Sequence, residues 1–391
     1  MLCESSSGRP IPLSVPVLAG NERAYVNECL DQSLLAVGPM LPRFEACLKE
    51  LCGVEHVIAC SSGTAGLHVA LLLVGVSPGD LVVVPTLTFA ATANAVRYVG
   101  ADPVFVGCDE WLGIDLAAVE GFLRRGCKIR DGRVYHRTSG RRVAALVPVH
   151  VHGIPCDMAP LMSLAREFDL PVVEDAAEGV GSFWADGPLA GRHCGSVGDV
   201  GVLSFNANKL VTCGGGGAIL TDDEAFARQA RYLIDQAKTD AVRYVHGGIG
   251  FNYRLSALAA AIGLAQLERL DAILEHRVAV ARLYAEELHG DGLSMLQPRP
   301  GTSPNRWFHS LIVDRPEPVR AREELMNRLQ GFGIQTRPLW YPNHLQAAFA
   351  GCLAVDVERA GWYWERVLNL PCSSDLSGEE VEWICHVVME A

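Results

Sequence analysis

The sequence predicts an α/β fold, with a mostly parallel sheet covered by helices on both faces. Short apolar runs at 56–60, 81–84, 103–106, 143–149 and 171–173 alternate with segments of helical spacing. The chain has 391 residues, 49% of them hydrophobic and 20% charged, which suits a well-filled core and roughly two to three domains. Several of the apolar runs also end in polar or glycine-rich turns, where ligands bind in parallel sheets.

Composition excludes several classes of protein. A formal net charge of -12 argues against a general nucleic-acid or membrane-surface binder, because either needs a basic patch. Thirteen cysteines without a CxxC pair indicate reduced thiols rather than a disulfide framework or a zinc site. The N-terminus lacks the features of a signal peptide, and the apolar runs are too short to span a bilayer. We therefore expect a cytoplasmic protein without a metal or a membrane partner.

The N-terminal region predicts an arm followed by two helices. Residues 1–20 contain Pro10, Pro12 and Pro16 at spacings that prevent a central strand, so we expect an irregular arm. Asn21 is placed to cap a helix that ends near Leu30, and a second helix follows Pro42. The first buried strand, at 56–60, comes next.

The turn SSGTAG, residues 61–66, lies between this strand and an apolar helix. Its small residues, with Gly63, Thr64 and Ala65 at the centre, leave unpaired N–H groups at the positive end of the helix dipole, which favours a phosphate. An ordinary strand-to-helix turn capped by Ser62 or Thr64 is the alternative. A dinucleotide site is disfavoured because the GxGxxG spacing is missing.

Two features follow along the chain. Phe89, just after the strand at 81–84, is either a core residue or lies flat against an aromatic cofactor. Residues 124–142 are basic and irregular, which fits an exposed excursion and hints at an anionic substrate or partner.

Carboxylates follow directly after the strand at 171–173. We expect Asp175 to be a buried anion that needs a cationic partner. In a pyridoxal enzyme that partner is the protonated ring nitrogen of the cofactor.

Lys209 lies in the stretch around which the chain is organised, residues 198–220. The apolar alternation of Val200, Val202 and Phe205 indicates a buried strand, and Lys209 follows it in a polar, glycine-rich turn. A lysine desolvated in such a place is a nucleophile that forms a Schiff base. A solvated loop lysine is the alternative, and it is disfavoured by Ser204 and by the four glycines at 214–217, which allow close approach of a ligand.

Taken together, the motifs resemble the DegT/DnrJ/StrS family of pyridoxal-phosphate-dependent sugar aminotransferases. They occur in family order over about residues 11–375. The motifs are SSGTAGL, PTLTFAATANA, VHVHGIPCDM, VVEDAAEGVGS, GDVGVLSFNANKLVTCGGGGAIL, GFNYRLSALAAAIGLAQL and PLWYPNHLQ.

This resemblance implies a fold and an assembly. The fold is the aspartate-aminotransferase type (fold type I), and the protein is a homodimer with shared active sites. Residues 1–20 are expected to form an arm, 21–254 a large cofactor domain, and 255–391 a linking helix and a smaller α+β domain.

The linking helix is expected from about 255 to 288. Further helices are expected at 116–123, 321–332, 357–368 and 379–390, with a strand at 310–313.

The resemblance also implies roles for individual residues around pyridoxal 5'-phosphate. By the motif positions that they occupy, Lys209 is expected to be the Schiff-base lysine and Asp175 to bind the pyridine nitrogen. Phe89 is expected to stack on the ring, and Glu178 to lie near the phenolic oxygen. The residues expected at the phosphate are Gly63, Thr64, Ala65 and Ser204, together with Asn252 from the neighbouring subunit.

The same resemblance implies glutamate as amino donor and a keto-sugar nucleotide as acceptor. Asn206 beside Lys209, and Arg337, Trp340 and His344 in TRPLWYPNHLQ, are candidates for the substrate side. For the last three, a loop that packs on the dimer is an equally good interpretation.

Two positions depart from the family pattern. Glu178 occupies a position that is often glutamine, and Ala207 occupies one that is usually glycine in the most similar branch. That branch makes UDP-4-amino-4,6-dideoxy-N-acetyl sugars on the way to legionaminic-acid-type nonulosonates. Amination at C4 of a nucleotide-linked deoxysugar is therefore the expected reaction. Three alternatives are disfavoured. A nucleotide-sugar dehydratase would lack the lysine, and an aldolase or decarboxylase fits the motifs less well. A non-catalytic regulatory homologue would have lost the lysine, the aspartate or the phosphate turn.

Overall fold

The computed structural model describes residues 10–240 and 242–390 of the chain. The helices of these residues are α1 (Glu22–Asp31), α2 (Met40–Cys52), α3 (Gly63–Leu73), α4 (Ala90–Tyr98), α5 (Leu116–Gly121), α6 (Met158–Glu167), α7 (Glu224–Ile234), α8 (Ala257–Leu267), α9 (Leu270–Glu287), α10 (Pro318–Gly331), α11 (Glu358–Arg366) and α12 (Gly378–Met389).

The strands of the same residues alternate with the helices over most of the chain. They are β1 (His56–Cys60), β2 (Leu81–Pro85), β3 (Asp102–Val106), β4 (Cys127–Arg130), β5 (Arg133–His136), β6 (Val143–Leu146), β7 (Val173–Asp175), β8 (Phe183–Trp184), β9 (Val200–Ser204), β10 (Gly217–Thr221), β11 (Lys238–Asp240), β12 (Val245–His246), β13 (Leu293–Met295), β14 (Thr302–Ser303), β15 (His309–Val313), β16 (Arg337–Pro338), β17 (Leu353–Val355) and β18 (Val367–Leu370).

The large sheet is mostly parallel. Its two ladders, in the orders β17-β3-β2-β6 and β7-β9-β10-β1, are joined by parallel bridges from Leu146 to Val172 and from Val149 to Asp175. Among the described strands of this sheet, only β10 runs against its neighbours, because it pairs antiparallel with both β1 and β9. The carboxyl ends of β1, β2, β6, β7 and β9 therefore meet at one edge. The predicted sheet is confirmed.

Helices cover both faces of this sheet. On β2, Val83 packs into one apolar cluster together with Phe44 of α2, whereas Val82 and Val84 pack into a second cluster together with Leu67 of α3. Alternate side chains of a strand point to opposite faces, so a strand apolar at every position must be covered on both sides. This burial explains why the strands read as continuous apolar runs.

A second sheet lies in the C-terminal part of the chain. Its order is β13-β15-β18-β16, and every described pairing in it is antiparallel. Leu311, Leu368 and Leu370 pack from this sheet onto side chains of α9, α10 and α12. β17 leaves this part of the chain and pairs with β3 at the edge of the large sheet. The domain boundary between residues 254 and 255 stays a prediction.

The structure corrects several predicted elements. The linking helix expected over 255–288 is two helices, α8 and α9, which separate at Glu268 and Arg269. Glu268 accepts hydrogen bonds from Asn21 Nδ2 at 2.7 Å and Tyr25 Oη at 2.6 Å of the first helical segment. The Asn21 side chain therefore binds Glu268 instead of capping α1, for which it makes no cap hydrogen bond.

Two further segments differ from expectation. The excursion at 124–142 is exposed over much of its length but contains the hairpin β4-β5, because Val134 buries its side chain against the adjacent core. The helix expected over 357–368 ends at Arg366, where the chain enters β18. Of the irregular arm, residues 1–9 lie outside the described residues, and Ile11 forms a bridge to Ile334.

Within 10–240 and 242–390, no helix has the length and apolar character needed to cross a membrane.

Candidate active site

A cavity of about 870 Å³ opens at the carboxyl ends of the parallel strands, where the second sheet faces them. Strand ends in an open parallel sheet leave a crevice because the connections diverge to opposite faces. The predicted site residues that line this cavity are Gly63, Thr64, Phe89, Asp175, Glu178, Ser204, Asn206, Lys209, Arg337 and Trp340. The fold therefore brings together residues that lie up to about 280 positions apart in the chain.

Lys209 reaches into the cavity from a turn five residues beyond the end of β9. Its side chain is only 13% exposed, and its Nζ lies 3.2 Å from Glu178 Oε1. The same Nζ lies 4.1 Å from the centre of the Trp307 ring, a cation–π distance. The turn is closed by the Lys209 N–H, which donates to the Asn206 carbonyl at 2.9 Å. The lysine is thus held by a carboxylate and an aromatic face.

Asp175 is the last residue of β7 and is 4% exposed. Its Oδ2 accepts from Thr92 Oγ1 at 2.6 Å, and its Oδ1 accepts from the Ala177 N–H at 3.1 Å. Burial raises the pKa of this carboxyl group above its ordinary value, although the Thr92 hydroxyl, the Ala177 N–H and the Lys209 charge oppose the shift. A buried carboxylate in this state gains stability from any cation placed against it.

Glu178 follows in the loop after β7 and is 6% exposed. Its Oε2 accepts the backbone N–H of His152 at 2.7 Å, and its Oε1 faces Lys209. Burial raises the pKa of this carboxyl group, and the Lys209 charge and the His152 N–H lower it in part. The loop itself is pinned by Asn305, whose Nδ2 donates to the Glu178 carbonyl at 2.7 Å.

The N-terminus of α3 forms another part of the cavity wall. Ser62 caps this helix, with its Oγ accepting from the Ala65 N–H at 3.0 Å. Among the described residues, the N–H groups of Gly63 and Thr64 have no protein acceptor and point out of the helix end. A Cβ at Gly63 would lie 2.9 Å from the Ser204 Cβ, so only glycine lets the first turn approach β9 this closely.

The outer wall of the cavity is more open. Phe89 is 59% exposed, and its ring centre lies 6.4 Å from that of Trp340, which is partly buried. Arg337 and Asn206 are exposed. In the described part of the chain, the Arg337 guanidinium has no carboxylate partner and donates only to the Thr336 carbonyl.

Three predicted site residues lie outside the cavity lining. Ala65 is buried in the first turn of α3, where its N–H donates to Ser62 Oγ. His344 binds Thr86, with its Nδ1 at 2.7 Å from Oγ1, and neither residue lines the cavity. Asn252 is exposed elsewhere on the surface and forms a bridge to Asp235. Their roles stay predictions.

Sequence reasoning missed several residues of the site. Trp307 lies against the lysine, and its Nε1 donates to the Asn208 carbonyl at 2.8 Å. Thr92 binds Asp175, and Asn369 lines the cavity from β18. The helical position of Thr92, three residues after Phe89, was a usable signal because residues three apart share one helix face. Trp307 and Asn369 carried none, since only the docking of the second sheet places them here.

Fold and site together define an α/β enzyme with a buried lysine, a buried aspartate and an anion-binding helix terminus at one sheet edge. Residues 16–389 match the DegT/DnrJ/EryC1/StrS aminotransferase family, and the chain belongs to that family. The resemblance seen in the motifs is thereby confirmed, whereas the legionaminic-type branch within the family stays a prediction.

Individual relatives match over almost their whole length. The chain is 36% identical to GDP-perosamine synthase of Caulobacter vibrioides, covering 95% of both chains. It is 33% identical to a UDP-N-acetyl-3-dehydro-alpha-D-glucosamine 3-aminotransferase of Acidithiobacillus ferrooxidans, covering 96% of this chain and 94% of the relative. The crystal structure of S. venezuelae DesV in complex with a ketimine intermediate superposes with a TM-score of 0.85, at 30% identity and with 98% of each chain covered. The fold is therefore the aspartate-aminotransferase type, fold type I.

Pyridoxal phosphate is the cofactor of this family, and the residues present here fit it. The unpaired N–H groups of Gly63 and Thr64, with Ser204 beside them, suit a phosphate. Within the described residues, the buried Asp175 carboxyl group has no ion-pair partner, and a protonated ring nitrogen supplies one. Lys209 lines the same cavity.

Proposed function

We propose that this aminotransferase moves an amino group from glutamate to the keto carbon, C4, of a nucleotide-linked deoxysugar. The observation that carries the proposal is the meeting of Lys209, Asp175 and Glu178 in one buried cavity next to an anion-binding helix terminus. The names of the relatives, which concern GDP-perosamine and a UDP-linked amino sugar, support a nucleotide sugar as the acceptor class. Because those names carry two different nucleotides, the proposal covers the class rather than one base.

The cofactor, when bound, supplies an electron sink that makes the proton on the amino-bearing carbon labile. Lys209 is the group that we assign to move this proton. Its Nζ would take the proton from the α-carbon of glutamate in one half-reaction and deliver a proton to the sugar carbon in the other. The contacts with Glu178 and Trp307 keep Nζ inside the cavity when it is not covalently engaged. A single base that serves both halves of the cycle explains why one lysine is enough.

Asp175 holds a proton on the ring nitrogen. The carboxylate is fixed by Thr92 Oγ1 and the Ala177 N–H, so it meets the ring without reorganising. Glu178 differs in role, since it contacts the lysine and not a ring nitrogen. As a carboxylate where the family often has an amide, it would share a proton with the phenolic oxygen if the cofactor is held as assigned.

The phosphate is assigned to the N-terminus of α3, with Gly63, Thr64 and Ala65, and to the Ser204 hydroxyl. Asn252 lies on the surface, outside the cavity of its own chain. We assign it to the phosphate of a second copy in a homodimer with shared active sites. The cytoplasmic location is proposed on the same footing, supported by the twelve free cysteines of the described residues.

The sugar nucleotide is assigned to the open wall of the cavity. Arg337 offers an unpaired cation for the diphosphate, and Trp340 and Phe89 offer apolar faces to the deoxysugar. Asn206 lines the same opening and supplies an amide. His344 is assigned to the same substrate side, next to the cavity lining, where its Nδ1 binds Thr86 Oγ1.

Separate half-reactions test this function. The purified protein is loaded with pyridoxal phosphate, and its absorption spectrum is followed after glutamate and then after each of several 4-keto and 3-keto nucleotide sugars. We expect glutamate to convert the cofactor band and a 4-keto sugar to restore it. Restoration by 3-keto sugars alone would move the reaction to C3, and a spectrum that glutamate leaves unchanged would remove glutamate as the donor.

A further inference from the structure

A buried relay of three side chains lies behind the wall formed by the second sheet. His152 Nδ1 lies 2.9 Å from Ser310 Oγ, and Ser310 Oγ donates to Asn369 Oδ1 at 2.9 Å. The single proton of Ser310 goes to Asn369 Oδ1, so the Ser310 oxygen accepts from the Nδ1–H of His152. The relay therefore fixes the orientation of the Asn369 amide: Oδ1 faces Ser310, and Nδ2 lies on the side away from Ser310.

The relay is buried, and its histidine is neutral. His152, Ser310 and Asn369 are each no more than 3% exposed. Burial, together with the charge of Lys209, lowers the pKa of His152 to about 3. A neutral imidazole with its proton on Nδ1 is the form that the relay requires.

The geometry of the second sheet aims Asn369 into the cavity. Ser310 on β15 and Arg337 on β16 lie directly opposite Asn369 on β18. Directly opposed residues in antiparallel strands share a face, so the three side chains point to the same side. Leu368 and Leu370, one position away on each side, point to the core instead. Asn369 and Arg337 both line the cavity.

These two side chains present hydrogen-bond donors that the protein leaves open. Within residues 10–240 and 242–390, Asn369 Nδ2 has no protein acceptor, and the Arg337 guanidinium has no carboxylate partner. An amide NH₂ beside a planar guanidinium matches the two oxygens of a carboxylate. The pair lies side by side on neighbouring strands, as such a ligand requires.

A series of contacts connects this pair to the reacting lysine. Lys209 Nζ touches Glu178 Oε1, and Glu178 Oε2 accepts from the backbone of His152, whose ring begins the relay to Asn369. His152 has a φ of 55°, a left-handed conformation that is uncommon for a non-glycine residue. This conformation lets one residue serve the carboxylate with its backbone and the relay with its side chain.

We propose that Asn369 and Arg337 hold the α-carboxylate of the amino-acid donor, with Ser310 and His152 as positioning residues. The inference rests on the proposed function in that the donor is an amino acid. The α-carboxylate and the transferred amine are bonded to the same carbon, so the carboxylate anchor belongs in the cavity that Lys209 enters, and Asn369 and Arg337 line that cavity. Because the two substrates of a ping-pong cycle occupy the cavity at different times, Arg337 meets the carboxylate in one half and the diphosphate in the other.

The test compares Asn369→Asp with Asn327→Asp as the matched control. Asn327 is exposed on α10, outside the cavity. The change from amide to carboxylate keeps the side-chain size but puts an acceptor where the donor was, which repels a bound carboxylate. We expect the glutamate concentration that gives half the maximal rate to rise at least tenfold, while the return half-reaction with the nucleotide sugar changes less than twofold. Ser310→Ala, which frees the amide to rotate, gives a smaller rise of the same kind.

A binding measurement without turnover accompanies the kinetics. Glutarate, a dicarboxylate without an amine, is titrated into the cofactor-loaded protein and followed by calorimetry, and thermal unfolding of each variant checks the fold. Binding weakened at least tenfold in Asn369→Asp and unchanged in Asn327→Asp supports the anchor. Unchanged glutarate binding in a folded Asn369→Asp protein, or a slowed sugar half-reaction with a normal glutamate half-reaction, overturns it.

Failure of the proposed donor gives a different pattern. Suppose that the wild-type protein binds glutarate, that the Asn369→Asp variant does not, and that glutamate fails to convert the cofactor of the wild-type protein. This result would overturn glutamate as the donor and would support the anchor. Alanine and aspartate are then compared as donors with the same variants.

Discussion

The cavity has two walls of opposite character. The cofactor wall is made of Asp175, Glu178, Ser204, Lys209 and the N-terminus of α3. Its two carboxylates and Ser204 are buried, and the Lys209 side chain is 13% exposed. The substrate rim, made of Phe89, Asn206, Arg337 and Trp340, is open, with Phe89 59% exposed. Burial strengthens electrostatic interactions, whereas exposure leaves room for ligands of different shape. We propose from this difference that the buried wall determines the type of reaction and that the open rim determines which sugar is accepted.

The cofactor wall also stores an energetic cost. Burial raises the pKa of both Asp175 and Glu178, so each carboxylate is less favourable in the folded protein than in water. A chain selected only for stability would use neutral residues at these positions. The proposed function explains this cost by the cationic groups that would face the two carboxylates, the ring nitrogen at Asp175 and the lysine at Glu178.

The largest effect on the rate of amino transfer is expected when the lysine of the cofactor wall is removed. Lys209→Ala should lower amino transfer by at least about 10⁴-fold, because it removes both the covalent attachment and the proton carrier. The fold should remain, as judged by circular dichroism. Lys128→Ala, an exposed lysine of β4, is the control and should keep the wild-type rate. Full transfer by Lys209→Ala would show that the reaction lies elsewhere.

The next effect concerns the ring nitrogen. Asp175→Asn should lower the rate by roughly 10²- to 10³-fold, by analogy with other groups that stabilise developing charge. Its free energy of unfolding at pH 7 should change little, because removing a buried charge offsets the loss of a hydrogen bond to the carboxylate.

A buried aspartate remote from the cavity provides the contrast. Asp80 is 7% exposed and binds the Arg142 guanidinium and the Ser77 N–H. Asp80→Asn should cost about 1 to 3 kcal/mol of unfolding free energy and leave the rate unchanged. The account is contradicted if Asp175→Asn instead loses stability at an unchanged rate.

Glu178→Gln should have a moderate effect on rate, about tenfold, since the lysine keeps a hydrogen-bond acceptor but loses a charge partner. Its effect on stability depends on pH. The folded-state pKa of Glu178 is raised, so its contribution to stability is present below the ordinary value of about 4.3 and is lost as pH rises through the folded value. The variant should therefore melt at a higher temperature than wild type at pH 8. This difference should shrink toward pH 4, and a difference independent of pH would contradict the assignment of burial as the cause.

The smallest effect is expected at the substrate rim. Trp340→Phe removes part of an apolar face, which should raise the half-saturating concentration of the nucleotide sugar by about three- to tenfold, a change of about 1 kcal/mol. The glutamate half-reaction should be unaffected. Trp362→Phe, on α11 and outside the cavity, is the matched control. An equal effect of Trp340→Phe on both half-reactions would remove the distinction between the walls.

The same distinction explains what the sequence could predict. Asp175, Ser204 and Lys209 each follow closely on a buried apolar strand, so a local pattern was enough to locate them at the ligand edge of a parallel sheet. The apolar strands themselves were predicted to within a few residues, because both faces of the large sheet are buried.

The remaining features depend on contacts between distant segments. The break between α8 and α9 accompanies binding of Glu268 by side chains of the first helical segment, which no spacing within 255–288 shows. Asn369 enters the cavity through its pairing with Ser310 and Arg337, and Trp307 reaches the lysine through docking of the second sheet. Such pairings are tertiary, and one sequence does not contain a local signal for them.

We propose that Lys209 is the residue that bonds to the cofactor in the buried wall. The most direct measurement is reduction of the cofactor-loaded protein with borohydride, followed by peptide mapping by mass spectrometry. The account predicts a stable cofactor adduct on Lys209, which disappears when glutamate is added before the reductant. An adduct on another lysine, or none in a protein that carries out the transfer, would contradict it.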